Sequence, residues 1–177
     1  WVLSSVVILE SVPSEKSGVL VTADVNGGEP GKMLVATSEG VGGAVDGTSA
    51  ETLLWSPQGV ELVTLYKSPW RNQLDVHGGS KVVASTGRDT VLEPDELKQL
   101  IAAGQDITKK FTPVTNAAGK ARPWDIEFGF TGGKLWLFQC RPFLGNDELK
   151  NVPALAALDG PASSTRTRAL SLDEVLR

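Results

Sequence analysis

Four polar side chains have the types and spacing to hold a charged ligand. Asp125 and Glu127 lie in WDIEFGF (124–130), and Gln139 and Arg141 lie in KLWLFQCR (134–141). Both stretches read as β-strands, and Thr131, Gly132 and Gly133 form the turn between them. Side chains alternate faces along a strand. Asp125 and Glu127 therefore point one way, and Ile126, Phe128 and Phe130 the other. On the second strand Leu135, Leu137, Gln139 and Arg141 share a face, opposite Trp136, Phe138 and Cys140. Directly opposed residues of an antiparallel pair lie on the same face. One register sets Asp125 against Arg141, Glu127 against Gln139 and Phe130 against Trp136; a slip of two sets Asp125 against Gln139. A tight turn at Gly132-Gly133 would put the acids and their partners on opposite faces, so the cluster needs a longer loop or a bulge. Carboxylate and amide oxygens are hard ligands for Mg²⁺, which is commonly held by one or two carboxylates plus nucleotide phosphates. A guanidinium one strand-step away binds phosphate oxygens in bidentate fashion. Phosphoryl transfer needs mainly positioning and charge neutralisation, which such groups supply. The plainer reading is a surface Asp–Arg pair on a hairpin, worth little to stability.

The rest of the chain must position that hairpin. Val, Ile and Leu cluster in short runs broken by Gly, Asn and Pro, the pattern of strands and turns. Strands are expected at 2–10, 18–23, 32–37, 51–55, 60–66 and 81–85. The segments 24–31 and 39–47 are turn-rich, and 67–80 has no clear period and reads as a loop. Pro94 suits the first position of a helix, with Asp95 and Glu96 at its positive end. Leu97, Leu100, Ile101, Gly104, Ile107 and Phe111 follow at spacings of three and four, one apolar helix face. Gly104 costs about 1 kcal/mol against Ala and marks a potential break. Residues 112–123 read as a loop, 146–158 as a short helix and the remainder as a linker. The class is α+β: a largely antiparallel sheet with one main helix packed on it.

Composition narrows the functional classes. The 177 residues are 41% hydrophobic and 21% charged, globular values. A compact chain of this length buries roughly 70% of its unfolded surface. Seventeen basic against 21 acidic residues give a net charge of −4, which leaves no basic excess for a nucleic-acid backbone. No apolar run approaches the roughly 20 residues of a membrane helix. The single Cys140 and single His77 exclude an internal disulfide and any multi-His metal site. The chain opens at Trp1 and its first residues lack the basic region of a signal peptide. A fragment of a longer cytoplasmic polypeptide is expected. Trp1, Trp55, Trp124 and Trp136 are expected in packing, with Trp70 apart in the irregular segment. Lys67, Arg71 and Lys81 are expected as solvated charge, and His77 as an ordinary loop residue.

The segment PWDIEFGFTGGKLWLFQCRPF (123–143) resembles the closing hairpin of the ATP-binding domain of phosphoenolpyruvate synthase and pyruvate phosphate dikinase, P-x-D-I-E-(W/F), a glycine turn, then L-x-(L/F)-(L/V)-Q-x-R-P. Three stretches agree in order: SGVLVTAD (17–24) with S-G-V-x-F-T-x-(D/N)-P, GVGGAVDG (40–47) with G-L-G-E-x-V-V-x-G, and VLEPDE (91–96) with L-(T/S)-D-E-E. The similarity covers about residues 5–143. It implies that Glu127 and Gln139 hold Mg²⁺ and ATP, that Arg141 meets the transferred phosphates as the catalytic residue, and that Asp125 supports them. It implies the C-terminal half of an ATP-grasp domain over 1–145, with 146–177 as a short helix and tail. Its partners would be an N-terminal ATP-grasp subdomain, supplying a Lys and an Arg, and a swivelling phosphohistidine domain that passes phosphoryl on to pyruvate. Nothing in this chain resembles either, so the fragment alone is expected to be inactive. Leu9, Ser11, Val25 and Gly43 depart from the family pattern. Three alternatives stay open: a dikinase acting on a glucan or an antibiotic, a degenerate ATP-binding regulatory module, and an unrelated β-rich interaction domain.

Overall fold

The computed structural model describes residues 10–25, 31–44 and 49–145. Their elements all lie in the unit spanning 1–143. In chain order they are β1 (Lys16–Val21), β2 (Met33–Glu39), β3 (Glu51–Ser56), β4 (Gly59–Thr64), β5 (Trp70–Leu74), β6 (Ser80–Ala84), α1 (Pro94–Lys110), β7 (Trp124–Thr131) and β8 (Lys134–Pro142). Six strands form an antiparallel sheet in the order β4-β3-β2-β1-β7-β8, and β5 pairs with β6 as a separate ribbon. Among the described residues the α+β expectation, sheet-rich with one helix, therefore holds. Trp1, the expected strand at 2–10 save Glu10, and the helix at 146–158 fall outside the described residues; Glu10 itself is in no strand.

The long-range step is the pairing of β7 with β1. Val19 faces Glu127 and Leu20 faces Ile126, across about a hundred residues of sequence. This pairing gives the sheet one apolar face. Leu20, Val35, Ile126, Phe128 and Phe130 are fully buried there against Leu100, Ile101 and Ile107 of α1. Each such side chain contributes about 1.5–3 kcal/mol by leaving water. Phe128 and Phe130 meet edge to face at 5.9 Å, and Trp124 meets Phe111 likewise at 5.5 Å. The helix does not break at Gly104. A Cβ there would lie 2.7 Å from Leu20 Cδ2, so the glycine lets α1 approach β1.

The polar end of the helix-facing side is closed by three buried carboxylates. Glu96 accepts from Lys16 Nζ at 2.6 Å and from Glu93 N at 2.8 Å, joining β1 to the start of α1. Glu51 accepts from Val91 N at 2.9 Å and Leu92 N at 3.2 Å. Glu39 accepts from Thr86 N at 2.8 Å and from the Thr86 hydroxyl, with Arg71 Nε at 3.8 Å. Orphaned backbone N–H groups are expensive inside a protein, so Glu51 and Glu39 pin a segment that would otherwise lie loose over the sheet. Thr37 Oγ1 and Ser38 Oγ are buried with no hydrogen-bond partner, and nothing in the structure explains them.

Three expectations need correction. Residues 70–74 form β5 rather than loop. Neither face of the β5–β6 ribbon is deeply buried, so no apolar alternation marks it in the sequence. Arg71 is not simply solvated: its Nε also donates to Ala84 O at 3.3 Å, and it sits beside Glu39. Trp136 is not packed in a core. It is 41% exposed, with Lys134 Nζ 4.8 Å from its ring centre. Trp124 is buried, and Trp55 packs against the core as expected. His77 sits in the ribbon's turn, where its backbone N–H donates to Asp75 Oδ1 at 2.9 Å.

Candidate nucleotide-binding site

The hairpin carries both the tight turn and the bulge that the side-chain arithmetic demands. Gly132 and Gly133 have φ of +55° and +71°, values that only glycine adopts freely in succession. From this turn the ladder runs Thr131–Lys134, Phe130–Leu135, Gly129–Trp136 and Phe128–Leu137. It then shifts register and resumes at Glu127–Gln139, Ile126–Cys140 and Asp125–Arg141. Phe138 is the extra residue. The first register considered, Asp125 with Arg141 and Glu127 with Gln139, is therefore the one adopted. Phe130 opposes Leu135 instead of Trp136, because the bulge lies between that pair and the acids. The expected common face for Leu135, Leu137, Gln139 and Arg141 is also corrected. The bulge keeps Leu135 and Leu137 on the helix side of the sheet, where Leu135 packs against the core and Leu137 stays exposed, and sends Gln139 and Arg141 to the other side.

On that other side the residues lie in rows across four strands. Leu34, Val21, Asp125 and Arg141 form one row, and Ala36, Val19, Glu127 and Gln139 the next. Asp125 is buried, Glu127 is partly exposed, and Gln139 and Arg141 are exposed. Arg141 Nε donates to Asp125 Oδ2 at 2.8 Å. That hydrogen bond, and then the charge of Asp125, raises the guanidinium pKa further, so Arg141 is a fixed cation. Binding through Nε leaves both terminal nitrogens for an anion. Glu127 offers two oxygens and Gln139 one, in opposed positions on the face. The sheet beside them is floored by small or aliphatic side chains from β1 and β2.

Sequence reasoning found the four polar residues but not this floor. Val19, Val21, Leu34 and Ala36 carry no local signal of a site; they join it through the β7–β1 pairing. A groove of about 470 Å³ lies between α1 and β8, lined by Ala103, Ile107, Phe111, Leu137 and Cys140 among others. Its lining includes Gln139 but not Asp125, Glu127 or Arg141, so it is distinct from the face that gathers those three. Cys140 packs against the core cluster, as alternation predicts. Burial, and secondarily the charge of Asp125, raises its thiol pKa. Among the described residues no helix is long and apolar enough to cross a membrane.

The family model "pyruvate phosphate dikinase, AMP/ATP-binding domain" matches residues 2–158. A probable phosphoenolpyruvate synthase of Methanocaldococcus jannaschii is 27% identical over 143 residues, covering 77% of this chain. The match spans only 11% of the length of that relative. The family match takes in both strands of the hairpin and every strand that floors the site, and by it this chain belongs to the pyruvate phosphate dikinase AMP/ATP-binding domain family.

Proposed function

We propose that the face bearing Asp125, Glu127, Gln139 and Arg141 binds ATP with Mg²⁺, as part of a phosphotransferase of the phosphoenolpyruvate synthase type. The observation that carries this is the opposed pairing of Glu127 with Gln139 and of Asp125 with Arg141 on one face of the sheet. The donor set fits the metal. One carboxylate from Glu127 and one amide oxygen from Gln139 would leave positions for phosphate oxygens and water, a habit of Mg²⁺. The ion would draw the phosphates together and neutralise charge. Arg141, charged at any working pH, would take a non-bridging phosphate oxygen, with Asp125 holding its Nε edge. The partly exposed aliphatic side chains of Val19, Leu34 and Ala36 suit the flat, less polar part of a nucleotide.

In this reading residues 1–145 are the C-terminal half of an ATP-grasp domain and 146–177 a tail. The other half, with a Lys and an Arg, and a phosphohistidine domain belong to the same cytoplasmic protein. Phosphoryl passes from ATP to that histidine and on to pyruvate, and the 177 residues alone turn nothing over. The relative's far greater length suits a chain that is one part of such a machine.

The test is equilibrium binding of Mg-ATP to the full polypeptide that carries this chain, alongside its phosphohistidine yield. Arg141→Ala should lower the rate of phosphorylation roughly 10²-fold or more, typical of losing a charge-stabilising donor. Glu127→Gln should weaken Mg-ATP while sparing metal-free nucleotide. Unchanged activity in Arg141→Ala would favour a regulatory module instead.

A further inference from the structure

The hairpin poses a problem of phase. A regular ladder from the Gly132-Gly133 turn would set Gln139 opposite Ile126 and Arg141 opposite Trp124, on the core side. The observed ladder escapes this by leaving Phe138 unopposed between the Phe128–Leu137 and Glu127–Gln139 pairs. Room for the extra residue comes from Gly129. A Cβ built there would lie 2.7 Å from Phe138 Cζ and 2.8 Å from Phe138 Cε2, and would collide with Ser14 Oγ. The phenyl ring thus occupies space that any other residue at 129 would fill.

We propose that Gly129 is a positioning residue of the site: it leaves the seat that accommodates the extra residue, and the resulting bulge turns Gln139 and Arg141 toward Glu127 and Asp125. The phase argument stands on geometry; its consequence for nucleotide rests on the function proposed above. A bulge forfeits ladder pairing and must be compensated. Here the ring is seated, and a guanidinium and an amide are kept off an apolar face where they would be costly. Cys140 is the counterpart. The phase that turns Gln139 out turns Cys140 in, opposite Ile126.

Two changes to the full polypeptide should give opposite results. Deleting Phe138 removes the extra residue and leaves a regular ladder in which Gln139 still opposes Glu127 and Arg141 still opposes Asp125. Mg-ATP affinity should stay within a few-fold. Gly129→Val keeps the extra residue but fills its seat. The strand should fall into the regular phase, with Mg-ATP affinity lower by about tenfold or more, as when a hydrogen bond to a charged group is lost. Alkylation of Cys140, read by mass spectrometry in the absence of nucleotide, reports the phase directly. It should speed up in Gly129→Val and stay slow in the deletion. A protected Cys140 with undiminished affinity in Gly129→Val would overturn the proposal. So would loss of Mg-ATP binding in a deletion variant that still melts cooperatively, which keeps the test decisive if Gly129→Val fails to fold. If Cys140 responds as expected while no form binds nucleotide, the phase lock stands and the nucleotide reading falls.

Discussion

Arg141 donates from Nε to Asp125 Oδ2 at 2.8 Å across the β7–β8 pair, with Asp125 buried and Arg141 largely in solvent. The asymmetry gives the pair a direction: the buried acid fixes the edge of a guanidinium whose other nitrogens face outward. An ion pair with one partner largely in solvent adds little to stability because water screens it and the long side chain loses freedom. Its value here is orientation.

Asp125→Asn should therefore separate stability from binding. The melting temperature should hardly move, since the exposed partner is not stranded in the interior. Mg-ATP affinity should fall about five-fold, the scale of one net hydrogen bond. Isothermal titration beside thermal melts of the same protein makes the comparison. A large loss of melting temperature with unchanged affinity would mean that the pair is structural.

The Lys16–Glu96 pair is of the other kind. Both side chains are about nine-tenths buried, and the carboxylate also caps the helix through Glu93 N. Removing one partner of a buried pair costs about 3–5 kcal/mol because a charge stays behind unpaired. Lys16→Met should be destabilised by that order in chemical denaturation. The double variant Lys16→Met/Glu96→Leu should recover much of the loss, less about 1 kcal/mol for the missing cap. Equal loss in single and double variants would contradict this account.

Cys140 gives a pH prediction. Burial and the nearby Asp125 charge favour its neutral thiol, so its folded pKa lies above the unfolded value. The unfolded chain then releases its proton first as pH rises. The stabilising contribution is complete below the unfolded value of about 8.5 and is lost as pH climbs through the folded value. Alkylation of Cys140 as a function of pH should show a midpoint above that of a free thiol, and Asp125→Asn should lower it. A midpoint at or below the free-thiol value would show that the side chain is not held against the core.

Much of this protein was legible from its residues. Pro94, Asp95 and Glu96 before a three-and-four apolar spacing specify α1. Glycines in succession at 132 and 133 mark a turn, either a tight one with a bulge or a longer loop. Alternation along 124–130 assigns Ile126, Phe128 and Phe130 to one face and the acids to the other, and the parity of Gln139 and Arg141 then requires an irregularity. These are local consequences of backbone geometry, and the family resemblance rests on the same residues.

The β5–β6 ribbon was not legible, because a strand without a buried face leaves no periodic trace. Nor was the use of Glu39, Glu51 and Glu96 as buried anchors: an acidic residue in a sequence reads as solvent-facing until its backbone partners are known. Tertiary structure alone decided where the bulge falls, since that depends on Phe138 finding an empty seat over Gly129 on a neighbouring strand. It alone decided that Val19, Val21, Leu34 and Ala36 lie beside Glu127. That neighbourhood comes from pairing β7 with β1, a contact between segments a hundred residues apart, which the long-range burial of a shared core selects and no local propensity encodes.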